Sequence, residues 1–167
     1  PPGVAGQVLF HYEYSYHPNG SVSCGQWRER LIRNPAAYRW TCPVHEVCLP
    51  LNAPQAFVAE RSDVVWKHRR DGSGMPSDPG RNLRIMRRWV ATEEGANDAR
   101  ARFYLAQELT DAGELDEAIQ HYEWHYRHSG WDDERMMGMM RSCSIHLSSN
   151  NLDGAQLCAP RLIEMRD

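Results

Sequence analysis

The residues of this chain best equipped for chemistry stand in two places. His45 and Glu46 are adjacent inside the run YRWTCPVHEVCLPL, residues 38–51, and His68 closes the stretch DVVWKH. An adjacent imidazole and carboxylate can hold a metal, move a proton, or stand as two solvated side chains. On a strand they would point to opposite faces, so one could enter a site while the other braces it. On a loop or a helix start both could face a cleft. Trp40, Val44, Val47 and Leu49 are expected to bury the stretch, and a partly buried carboxylate can be tuned as a general base. His68 precedes a Gly-rich segment, and strand ends beside long loops are where sites collect. Neutral imidazole is also a common ligand for Mn2+-like metals. Flanking the segment are Lys67, Arg69, Arg70, Arg81, Arg84, Arg87 and Arg88. Guanidinium suits bidentate contact with phosphate, so a diphosphate-bearing donor fits; a solvated face paired with acidic helices fits equally.

The elements that must position these groups follow from periodicity. QVLFHYEYSY, residues 7–16, alternates with period two: Phe10, Tyr12, Tyr14 and Tyr16 share one face, as in a strand. That stripe is sheet packing or an acceptor-side platform. HPNG at 17–20 is a turn, and SVSC can return as the second strand. QWRERLIR at 26–33 reads as strand or short helix; APQAFVAE and SDVVWKHRR read as short strands. Residues 71–80, DGSGMPSDPG, form a loop. From 81 onward the period is helical, over 81–94, 97–113, 114–130, 131–150 and 152–166. An Asn/Asp cap opens the second of these and Gly113 ends it. The chain therefore reads as α+β: a mostly β segment over 1–80, then an all-α row of antiparallel helices over 81–167. Met136, Met137, Met139 and Met140 pack between helices or form an adaptable binding face.

Bulk properties narrow the classes. The 167 residues have a net charge of −3, which argues against a general nucleic-acid binder. Residues 1–97 hold 12 Lys and Arg against 9 Asp and Glu; residues 98–167 hold 7 against 13. That split suggests two units with different tasks. No apolar run approaches the roughly 20 residues of a membrane span. The opening PPGVAGQVLF lacks a signal peptide's basic region and reads as an entry in mid-protein. Five irregularly spaced cysteines read as reduced thiols of a cytoplasmic protein.

The helical half contains a repeat. LAQELTDAGELDEAIQHYEWHY, from Leu105, matches RSCSIHLSSNNLDGAQLCAPRL, read from its second residue Ser142, at an offset of 37 residues, pairing Ala106 with Cys143, Leu115 with Leu152 and Ala118 with Ala155. Small residues where two helices cross are what a stacked helix-turn-helix unit needs. This resembles the tetratricopeptide repeat, whose period is about 34.

Taken in order, WRERLIRNPAAYRWTCPVHEVCLPL, DVVWKHRR, RNLRIMRRWV and NDARARFYLAQELTDAGELDEAIQHYEWHYRHSGWDDER resemble the C-terminal portion of bacterial and phage family 2 glycosyltransferases that carry tetratricopeptide repeats. The Trp-x-x-Glu of that pattern is Trp131 to Glu134. The resemblance implies the distal part of a GT-A-like catalytic domain over 1–80 and the repeat domain over 81–167. It implies sugar transfer from a nucleotide-sugar donor to an acceptor hydroxyl, on a protein or a glycan, with Mn2+ or Mg2+ in the intact enzyme. Glu46 would be the general base and His45 would orient the acceptor or Glu46. His68 would be a metal ligand, although His45 and His68 could exchange these roles. Lys67, Arg69 and Arg70 would meet the donor phosphates. Trp40, Tyr122, Tyr126 and Trp131 would face the acceptor or a partner. The Asp-x-Asp that binds metal and diphosphate in that family occurs nowhere in the 167 residues, so the chain alone is expected to bind little donor. Two other classes stay open: a non-catalytic repeat module that binds a protein or peptide, and a scaffold without a site.

Overall fold

The computed structural model of the chain describes residues 6–51, 58–68 and 78–165, which form an α+β protein with strands in two small sheets followed by six helices. Their contacts divide them into two units. One holds 6–41, 46–51 and 58–68; the other holds Cys42–His45 and everything from Asp78. The helical unit thus starts three residues before the sequence-based boundary at 80/81, and it takes four residues from the middle of the β segment.

In the β unit, β1 (Gln7–Tyr16) is central, with β2 (Val22–Ile32) antiparallel on one side and β5 (Val58–Lys67) parallel on the other. The HPNG turn closes as its residues dictate. The His17 N–H donates to the Ser21 carbonyl at 2.8 Å, and Gly20 takes φ +84°, a conformation that glycine alone enters without a Cβ penalty. SVSC and QWRERLIR are not separate elements. β1 pairs with β2 from Tyr16↔Val22 to Gln7↔Ile32, with three register shifts along the way, and a ladder of that length overrides local helix preference. SDVVWK likewise belongs to one strand with Val58–Ala59, while residues 52–57, Arg69, Arg70 and 71–77 lie outside the described residues. β3 (Tyr38–Thr41) and β4 (Val47–Pro50) form a two-stranded antiparallel sheet with Trp40 opposite Cys48.

The helical unit contains α1 (Arg81–Val90), α2 (Glu93–Ala96), α3 (Ala99–Asp111), α4 (Leu115–His128), α5 (Asp132–Ser148) and α6 (Leu152–Glu164). The helix expected over 81–94 stops early because Thr92 accepts from the Gly95 N–H and starts a new turn. Asp98 caps α3 through the Ala101 N–H at 3.0 Å. The repeat is visible in its stop signals. After α3, Gly113 has φ +79° and the Glu114 N–H reaches the Leu109 carbonyl; after α5, Asn150 has φ +56° and the Asn151 N–H reaches the His146 carbonyl. Glycine and asparagine are the residues that tolerate this left-handed cap, here 37 positions apart. Leu105, Ala106, Leu109, Ala118, Tyr122 and Met139 are wholly buried at the centre. Ala155 matches Ala118 in burial, but the fully buried small residue of α5 is Ser142 rather than Cys143. Among the described residues no helix is long and apolar enough to cross a membrane.

One histidine gives this unit a pH dependence. His121 lies 3.2 Å from the Arg102 guanidinium and 3.8 Å from Glu117. Burial pushes its pKa down, Arg102 and Arg87 add to that, and Glu117 opposes it. The unfolded chain therefore takes up the proton first. The contribution of neutral His121 is complete above the unfolded value near 6.5 and is lost as pH falls through it. Melting temperatures followed by circular dichroism should fall from about pH 7 to about pH 5, and His121→Gln should flatten the slope. An equally steep slope in the variant would assign the effect elsewhere.

Candidate functional site

His45 and Glu46 occupy the loop between β3 and β4, and the two units divide between them. Cys42 (φ +64°) and His45 (φ +59°) both adopt left-handed backbone, uncommon for residues with a side chain. Cys42 and Val44 are buried in the helical core, which holds the loop in that shape. The His45 ring stacks on Tyr104 at 4.2 Å and 20°, and its Nε2 lies 3.8 Å from Glu108. Glu46 is exposed, and its backbone carbonyl accepts from Arg28 Nη2 at 3.3 Å.

The burial expected for this stretch needs correction. Trp40 and Leu49 are 56% and 44% exposed, whereas Cys42, Val44 and Cys48 are the buried residues. The inward residue of β4 is chosen by polar partners: Gln7 donates to the Cys48 carbonyl at 2.9 Å and Glu29 accepts from the Cys48 N–H at 3.1 Å. Leu49, the next residue, then faces the other way. Burial also pushes the Cys48 thiol pKa up.

His68 follows β5, and its N–H donates to the Glu13 carbonyl on β1. Tyr12 Oη lies 2.6 Å from His68 Nδ1, and the Tyr14 ring stacks on the imidazole at 5.1 Å and 26°. The tyrosine stripe therefore fixes a histidine. Lys67 lies 3.6 Å from Glu13, so the phosphate-binding role expected of it competes with an ion pair. The Tyr16 hydroxyl, followed by Lys67, holds the Glu13 pKa down. Arg69 and Arg70 lie outside the described residues. Of the helical cations, Arg84 pairs with Asp78 and Arg87 with Glu114 and Glu117, so these two belong to a solvated ionic face.

The described residues do not make a metal site. No group of three or more His, Cys, Asp or Glu side chains among them is placed to hold an ion. His68, with Nδ1 engaged by Tyr12, offers one ligand nitrogen and no companions.

The helical unit carries a groove of about 240 Å3 between α3 and α5, lined by Arg100, Tyr104, Trp131, Glu134, Met137 and Arg141. Arg100 lies over the Tyr104 ring and donates to its hydroxyl at 3.0 Å, while Nη1 is 3.5 Å from Glu134. The other Glu134 oxygen lies 3.1 Å from Nε2 of the wholly buried His125. Trp131 is 54% exposed on the rim, one helical turn before Glu134 in the wall. Tyr122 does not belong with it: the side chain expected to meet a partner is completely buried, because its position on α4 faces the crossing with α3 and α5. Tyr126 is half-buried and covered by the Arg135 and Arg161 guanidinium groups. Of the methionines, Met139 is core, while Met137 and Met140 are exposed. Sequence reading missed Arg100, Tyr104 and His125. The signals were present: Arg100 and Tyr104 are four apart on one helix, and His125 continues the Ala118–Tyr122 stripe. Compared with known proteins, the sequence matches no family model and no curated protein.

Proposed function

We propose that the chain is the distal part of a family 2 glycosyltransferase of the cytoplasm, moving a sugar from a nucleotide-sugar donor to an acceptor hydroxyl, with the helical unit as the arm that holds the acceptor or a partner. The observation that carries this reading is the bracing of His68. The Tyr12 hydroxyl, in hydrogen-bond contact with Nδ1, and a stacked Tyr14 hold the ring in place and leave Nε2 as the nitrogen outside that contact. Glu46 is the base for the acceptor hydroxyl. It stands on an exposed loop and is fixed through its backbone by Arg28, which leaves its carboxylate uncommitted. His45, stacked on Tyr104, acts by fixing the loop. In the intact enzyme a divalent metal and the cations Lys67, Arg69 and Arg70 would meet the diphosphate. The test is sugar-nucleotide turnover by the gene's full-length product, compared with its Glu46→Gln variant. No turnover with any common nucleotide sugar overturns the proposal.

A second reading, a non-catalytic peptide-binding module, is favoured by the exposed Trp131 on the groove beside Arg100 and Arg141. Central exposed tryptophans are frequent anchors, costing about 2 kcal/mol or more on truncation. Peptides selected on the chain from a displayed library should then bind about thirtyfold more weakly to Trp131→Ala. Selected peptides indifferent to that change would count against the module.

A further inference from the structure

A second concave site lies within the β unit. It is a pocket of about 420 Å3, formed where β2 meets β4, and it falls in the range of about 300–1,000 Å3 typical of small-molecule sites. Trp27, Leu9, Val47 and Leu49 make its apolar wall, and Gln7, Arg28 and Glu29 supply its polar groups. Trp27 is 37% exposed, with its ring steadied edge-on by His11 at 5.6 Å.

The polar groups are partly used, and what remains is informative. Glu29 spends one oxygen on the Cys48 N–H and sets the other 3.5 Å from Arg28 Nε. Each carboxylate oxygen accepts twice, so acceptor capacity is left. Arg28 has five N–H donors, of which one reaches the Glu46 carbonyl and one faces Glu29. Arg28 and Glu29 cancel in charge. Among the described lining residues a ligand meets donors and acceptors side by side, with no net charge and an aromatic wall. An anion would leave the acceptors unpaired and a cation the donors. Hydroxyl groups, which both donate and accept, satisfy both.

We propose that this pocket binds a pyranose ring of an uncharged glycan, its C–H face against Trp27 and its hydroxyls on Arg28 and Glu29. The proposal deepens the transferase reading and rests on it, since it names the acceptor class. Glu46 directly precedes the lining residue Val47, and its carbonyl is held by Arg28. The candidate base is thus tethered to the rim of the pocket.

The test needs no donor and uses the chain itself. Saturation-transfer NMR with cellobiose, maltose and lactose should give ring-proton signals with the unaltered chain. With Trp27→Ala, affinity for the responding sugar should drop about tenfold. Trp27→Phe, which keeps a ring, should restore most of the binding, and circular dichroism confirms that both variants fold. A glucuronate-containing disaccharide should bind more weakly than its neutral counterpart. No signal from any neutral disaccharide, binding indifferent to Trp27→Ala, or a preference for the anionic sugar would each overturn the proposal. These outcomes are separate from the turnover assay: loss of sugar binding leaves the transferase reading in place, and unchanged turnover in Glu46→Gln leaves the pocket in place.

Discussion

Replacing Tyr122 by Ala is expected to destabilise the helical unit by about 3–5 kcal/mol, as removal of a large buried aromatic ring usually does. The side chain has no exposed surface and meets Phe103 edge-on at 6.1 Å. Gly138 on α5 comes so close that a Cβ there would lie 3.4 Å from the ring, so the surroundings are already in contact and cannot easily collapse inward. The hydroxyl contributes nothing comparable. It is buried and makes no hydrogen bond of good geometry; burial lifts its pKa, and the nearby Thr110 and Arg141 pull it back only in part. Tyr122→Phe is therefore expected to be neutral or slightly stabilising, since an unpaired buried hydroxyl carries a desolvation penalty of about 1–3 kcal/mol. Urea unfolding followed by circular dichroism separates the two effects: ring loss lowers the midpoint strongly, hydroxyl loss does not. A cost below about 1 kcal/mol for Tyr122→Ala would show that the ring is not a core element, and its expected role as a partner contact would return.

What could be read from the sequence was what local rules decide. The cap at Asp98, the stop at Gly113 and the apolar stripes of α3 and α4 each depend on residues within a turn or two of one another. Long-range pairing decided the rest. Tyr12 and His68 are 56 positions apart and meet only because β5 runs parallel to β1. The inward residue of β4 is fixed by Gln7, 41 positions away, and by Glu29, 19 away, which is why Cys48 rather than Leu49 points in. β2 formed one strand because β1 offered a full-length partner. The Trp27 pocket needed both facts at once, the course of β2 and the facing of β4, so no local pattern announced it. Glu134 was visible as the end of a Trp-x-x-Glu pattern, but its partner His125 lies on the preceding helix and looked like one more residue of an apolar stripe.

Glu46→Gln is expected to lower the turnover of sugar transfer by the full-length product by about 10²–10⁴-fold, the range a positioned general base contributes. The amide keeps the shape of the side chain and cannot accept the acceptor's proton. Glu46 is exposed, and the contact that fixes it uses its backbone carbonyl, which the variant retains. Stability should then change by no more than about 0.5 kcal/mol, so lost activity cannot be ascribed to lost folding. Donor KM should stay the same, because a base acts on the acceptor hydroxyl in the transition state and not on donor binding. His45→Ala provides the contrast. It removes the stack on Tyr104 and the approach to Glu108, so its main effect should be on the loop's order and on the helical unit's stability, with a smaller effect on turnover. If His45→Ala abolished turnover while Glu46→Gln left it intact, the imidazole would be the base. The left-handed backbone at His45 would then serve to aim that ring instead of tying down the loop.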